Sequence, residues 1–156
     1  MSLKRLQSEY MQQKKDPNYY FSMDLIDNSL VNWKFILIGP PDTIYEGGTF
    51  EGIVSFPNEY PNKPPLVRFT SEILHPNIYK DGKVCISILH EGVDQYNYES
   101  ASERWNPSHG INSIMMSILS MLSDANVESP ANIDASVLFK NNYEEFKNKV
   151  YKLISK

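Results

Sequence analysis

The chain has 156 residues, 41% hydrophobic and 22% charged, the composition of an ordinary soluble globular protein with room for one domain, 1–156. Its 15 basic and 19 acidic side chains leave a formal net charge of −4, which excludes a molecule-wide electrostatic footprint for nucleic acid. A lone cysteine excludes an internal disulfide and predicts a reducing compartment, and a domain this large needs no metal to hold it together.

The N-terminal stretch MSLKRLQSEYMQQKKD has no apolar core of the kind a signal peptide needs. No run approaches about 18 apolar residues, so neither a membrane span nor a tail anchor is expected. Leu3, Leu6 and Tyr10 recur at helical spacing and predict an amphipathic first helix, with Lys4 and Arg5 on its other face. Seven of the ten prolines fall between Pro40 and Pro76, so this middle zone should be strands and turns. Runs rich in β-formers at Tyr19–Ile26, Trp33–Ile38, Thr49–Phe56 and Val67–Thr70 predict an antiparallel meander. Asp81-Gly82 predicts a tight turn between Ile78-Tyr79 and Val84. After Pro107, Ile111, Ile114, Ile118 and Leu122 describe a core-facing helix. A third helix is expected over Ala131–Phe139. A last one follows the capping pair Asn142 and Glu145, with Phe146, Val150 and Leu153 on one face. Grouped strands with segregated helices make an α+β fold.

Cys85 lies in the apolar run Val84-Cys85-Ile86-Ser87-Ile88-Leu89. By itself it reads as a small buried hydrophobe. Nothing adjacent in sequence supplies the base or cation that usually lowers a thiol pKa, and the nearest histidines are His90 and His75.

The wider pattern is more specific. The block HPNIYKDGKVCISIL, from His75-Pro76-Asn77 to Cys85 and Leu89, closely resembles the active-site signature of ubiquitin-conjugating enzymes. The resemblance extends through Gly39-Pro40-Pro41, Tyr45-Glu46-Gly47-Gly48, Phe56-Pro57, Tyr60-Pro61 and Pro64-Pro65, then Trp105, Pro107 and Pro130-Ala131-Asn132. It implies that Cys85 accepts ubiquitin as a thioester from a ubiquitin-activating enzyme and passes it to a lysine amine. No cofactor is implied, because a thioester already stores the energy and ATP is used by the activating enzyme. The resemblance gives Asn77 the task of steadying the oxyanion formed in that attack. A turn asparagine bonded to nearby backbone is the other reading, and both can hold. His75 and Pro76 are implied to be structural supports rather than a base. Many relatives place an acid in the segment after the long helix, and the matching position here is Ser129, which is no carboxylate.

Between Leu89 and Trp105 the chain carries Glu91, Asp94, Glu99 and Glu103 with no Lys or Arg until Arg104. A long acidic connection here resembles the subgroup that builds ubiquitin chains in endoplasmic-reticulum-associated degradation. It implies cytoplasmic, nuclear or endoplasmic-reticulum-surface residence and an end in proteasomal degradation. Acids beside the thioester could orient an acceptor ubiquitin or gate the cleft, and a solvated surface loop is the plainer reading. The resemblance further implies activating-enzyme contact at Lys4 and Arg5. It implies a RING-type ligase against Asn62, Pro107 and Ser108, and a second ubiquitin near Ser22. Relatives often carry an apolar anchor where polar Asn62 stands. The alternatives within the family are conjugation of a different ubiquitin-like protein and a non-catalytic ubiquitin-binding variant. A cysteine hydrolase is the remaining class, and neither sequence signature of the common ones is present.

Overall fold

The computed structural model describes residues 3–92 and 103–155, and within them one helix, four strands and three further helices follow in order. Helix α1 spans Leu3–Lys15. Strands β1 (Phe21–Ile26), β2 (Ser29–Ile38), β3 (Thr49–Ser55) and β4 (Leu66–Phe69) form one antiparallel sheet in sequence order. Helices α2 (Ile111–Ser123), α3 (Ile133–Asn141) and α4 (Tyr143–Ile154) complete the expected α+β arrangement.

Alternation of side chains across the pleat explains the layering. Phe21 and Met23 of β1, Trp33, Phe35 and Leu37 of β2, Phe50 and Val54 of β3, and Val67 and Phe69 of β4 all point inward and are buried. They meet Ile111, Ile114, Met115 and Ile118 of α2 in one apolar cluster that Leu6, Phe146 and Val150 join from the other helices. Burying each such side chain contributes roughly 1.5–3 kcal/mol before entropy is charged against it.

Two boundaries and one burial pattern are among the departures from expectation, each with a local reason. The second strand begins at Ser29 rather than Trp33, because Asp27 and Asn28, with φ of 51° and 59°, close a two-residue hairpin and pair Ile26 with Ser29. Helix α3 begins at Ile133, not Ala131. The N–H groups of Ala131 and Asn132 go instead to the Pro76 carbonyl, and the Asn132 side chain accepts from Ala135 N. Leu3 is 54% exposed, so the first helix is held by Leu6 and Tyr10 rather than by the full expected stripe. The capping pair on α4 is present, since Asn142 Oδ1 accepts from Glu145 N.

Candidate active site

Residues 77–85 form a small hairpin folded against the edge of the sheet. Asp81-Gly82 turns the chain as expected, with Gly82 N donating to Tyr79 O and Tyr79 N to Lys83 O. Gly82 has a φ of +96°, and a Cβ there would lie 2.1 Å from Phe69 O, so glycine is required twice over. Val84 N donates to Val67 O and Phe69 N to Gly82 O, which bind the hairpin to β4. Cys85 N donates to Asn77 O at 2.9 Å, so the cysteine and the asparagine face each other across the open end.

His75 is 1% exposed and fully committed. Its Nδ1 accepts from Asn77 N at 2.9 Å and its Nε2 donates to Met121 O at 2.8 Å. Only the neutral ring with its proton on Nε2 satisfies both bonds. Burial drives its pKa down from 6.5 to about 4, against a weaker opposing pull from the Met121 carbonyl. A neutral ring with both nitrogens occupied is no proton acceptor. Pro76 serves the same wall, its carbonyl receiving two N–H groups from the segment ahead of α3.

The Asn77 side chain is clamped at both ends by one distant residue. Nδ2 donates to Asn126 O and Oδ1 accepts from Asn126 N, each at 2.8 Å. The amide therefore bridges 49 residues of sequence, rather than bonding the nearby backbone that a turn asparagine would use. A side-chain amide carries two N–H groups, and the bond to Asn126 takes one.

Cys85 is half-buried at a cleft of about 380 Å³ that Asn77, Ile86, Ser87, His90, Asp124 and Ser129 help to line. Here the structure corrects the sequence. The chain after Cys85 winds into one 3-10 turn, Ser87–Leu89, which swings His90 back. His90 Nε2 lies 3.5 Å from Cys85 Sγ. That contact lowers the thiol pKa below its ordinary value, against burial, which raises it, with Tyr79 and Lys83 helping more weakly. A thiol without a neighbouring base was the expectation, and it missed a turn of three residues. The spacing Cys-x4-His holds the signal, but only once a tight turn is assumed between the two.

Ser129 is exposed at the cleft, and the described carboxylates lining it are Asp124 and Glu103. Glu91 and Glu103 are exposed at the ends of the acidic insert, while Asp94 and Glu99 lie outside the described residues. The neck of the insert is fixed: Trp105 N donates to His90 O at 2.9 Å, and the Arg104 guanidinium donates to the carbonyls of Glu91 and Gly92. Among the described residues no three of His, Cys, Asp and Glu gather as a metal would require.

The expected contact residues fall in two settings. Lys4 is exposed, but Arg5 is turned inward, bonding Glu9, Pro107 O and His109 O. Arg5 thus clasps the chain ahead of α2, where Glu9 Oε1 accepts from Ile111 N and caps the helix from outside. Asn62, Pro107 and Ser108 are all exposed, on two loops joined where Trp105 Nε1 donates to Pro61 O. Ser22 is exposed on the outer face of β1. No described helix is long and apolar enough to cross a membrane.

A family model described as "Ubiquitin-conjugating enzyme" matches residues 5–154. Ubiquitin-conjugating enzyme E2 13 of Arabidopsis thaliana is 53% identical over 153 residues, covering 97% of this chain and 92% of the relative. Probable ubiquitin-conjugating enzyme E2 7 of Caenorhabditis elegans is 50% identical, covering 93% of this chain and 90% of the relative. Ubiquitin-conjugating enzyme E2 G2 of Homo sapiens is 45% identical, covering 93% and 89%. Matches of this depth along nearly the whole chain accord with a cysteine set in an open cleft and with the helix–meander–helix order around it. The chain therefore belongs to the ubiquitin-conjugating enzymes, transferases that work through a thioester with ubiquitin, an activating enzyme and a ligase.

Proposed function

We propose that Cys85 carries ubiquitin as a thioester and that Asn77 steadies the oxyanion when a lysine amine attacks it. The supporting observation is that Cys85 and Asn77 line one cleft and that their backbones are joined by the Cys85 N to Asn77 O bond. In charging, the Cys85 sulfur attacks the thioester carbonyl on the activating enzyme and displaces that enzyme's thiolate. In transfer, the amine adds to the carbonyl carbon, and negative charge gathers on oxygen until the carbon–sulfur bond breaks. The second N–H of Asn77 is positioned by Asn126 before the charge develops, and one such donor contributes about 3–4 kcal/mol in comparable sites. No nucleotide or metal takes part on this chain.

The acidic insert bears on what is built. Glu91, Asp94, Glu99 and Glu103 lie in the segment that enters and leaves beside Cys85, where they would attract the basic face of an acceptor ubiquitin. Chain synthesis for proteasomal degradation, of the endoplasmic-reticulum-associated type, is the reading supported by the resemblance of this insert to that subgroup. The chain would work as a single catalytic domain in the cytoplasm, in the nucleus or at the reticulum surface. A RING-type ligase would dock across Asn62, Pro107 and Ser108, and exposed Lys4 would meet the activating enzyme.

Incubation with activating enzyme, ATP and ubiquitin should give an adduct that thiols cleave. Cys85→Ser should convert it to a thiol-resistant oxyester and Cys85→Ala should abolish it. A reducible adduct surviving Cys85→Ala would refute the assignment.

A further inference from the structure

We infer that His90 is a catalytic residue of this cleft, holding Cys85 as an ion-paired thiolate when it attacks and again when it leaves. The geometry carries this. His90 Nε2 is 3.5 Å from Sγ. The backbone that carries the ring is held beside Cys85 on both sides: the His90 N–H donates to Ser87 O and its carbonyl accepts from Trp105 N, each at 2.9 Å. The other histidine near the signature, His75, is sealed in the core with both nitrogens occupied, so it cannot take this part.

The step balances as follows. In charging, the thiol proton moves to Nε2 and the sulfur electron pair forms the new carbon–sulfur bond. The activating enzyme's sulfur departs as a thiolate with the old bond's pair and takes up the proton from Nε2, which returns the ring to its neutral form before transfer. In transfer, the amine nitrogen bonds to the carbonyl carbon, and the carbon–sulfur pair returns to Sγ. The nitrogen's surplus proton passes to the neutral imidazole, which leaves imidazolium facing thiolate. A nitrogen bonding to the carbon attached to Sγ lies beside that sulfur, and therefore beside Nε2. This also supplies an acceptor where Ser129 offers none. Besides His90, the ionisable groups that act on the thiol are Tyr79 and Lys83 from the hairpin, and those that line the cleft are Glu103 and His109 from the chain ahead of α2 and Asp124 from its far end. Lys83 reinforces His90 in favouring the thiolate, and the two carboxylates oppose it.

The role deepens the assignment of Cys85 as acyl carrier, and the test separates the two. Because the chain has a single cysteine, the rate of alkylation by iodoacetamide against pH reports Cys85 alone. His90→Gln should move the midpoint of that profile to higher pH and slow alkylation at pH 7 by roughly three- to ten-fold. It should also slow discharge of the preformed ubiquitin thioester to free lysine. His90→Asn is read alongside it, with thermal melting to confirm that both variants fold. An unmoved midpoint in a folded variant overturns the role of His90. Failure of the unmodified chain to form any thiol-sensitive ubiquitin adduct overturns Cys85 as carrier instead, whatever the alkylation profile shows.

Discussion

The two walls of the cleft are built to different rules. On one, His75, Pro76 and Asn77 are wired to α2 and the chain after it by bonds to Met121, Asn126, Ala131 and Asn132, and both His75 and Asn77 are buried. On the other, Cys85 and His90 are half-buried and meet through one contact of 3.5 Å. Each wall contains a histidine, and environment assigns them opposite tasks. The buried ring is kept neutral and fixes geometry, while the ring at the cleft meets the reacting sulfur. On the proposed roles, the rigid wall carries the group that would meet an oxyanion, and the looser one carries the pair that would move a proton.

The largest effect that would sharpen this contrast comes from Asn77→Ala. Transfer to lysine should fall by roughly 10²- to 10³-fold while charging falls far less, measured in single-turnover assays of each step. Equal losses in both would show that Asn77 acts through the fold alone, by way of Asn126. The next effect is on stability and comes from His75. Its pKa is depressed in the folded chain, so the unfolded chain binds a proton that the folded one refuses. The neutral ring's contribution is whole above pH 6.5 and is lost as pH falls toward about 4, a total near 3 kcal/mol. Urea titrations across that window should show stability falling with acid. His75→Phe should remove that slope while lowering stability at pH 7, and a wild-type stability flat over the window would contradict the sealed neutral ring. The smallest effect concerns the acidic insert. Excising residues 91–103 should leave charging of Cys85 nearly unchanged and alter the length or linkage of the chains formed. Unaltered chains would remove the insert from the reaction.

Much of the fold was legible because it rests on short-range patterns. The spacing of Ile111, Ile114, Ile118 and Leu122 marks α2, and the Asn142–Glu145 pair marks where α4 starts. Asp27-Asn28 also carried a hairpin signal, in residues that tolerate positive φ, although it lacks the glycine that usually announces one. The site was legible only in outline. Asn77 and Cys85 are adjacent because a turn lies between them, and the Asp81-Gly82 dipeptide predicts it. The Asn77–Asn126 clamp, the inward turn of Arg5 and the return of His90 are different in kind. Two join residues far apart in sequence, at 49 and 102 or more positions, and no periodicity encodes such pairs. The third depends on a single 3-10 turn, too short for any pattern to register.

The neck of the insert has a consequence for how this chain can diversify. Trp105 and Arg104 hold the two ends of the segment together at His90, Glu91 and Gly92. Closing a longer connection between two fixed ends costs only about 0.6 kcal/mol more for each doubling of its length. Residues can thus be added, removed or exchanged beyond the neck as a cassette. The cysteine keeps its place whatever the length of the segment beyond the neck.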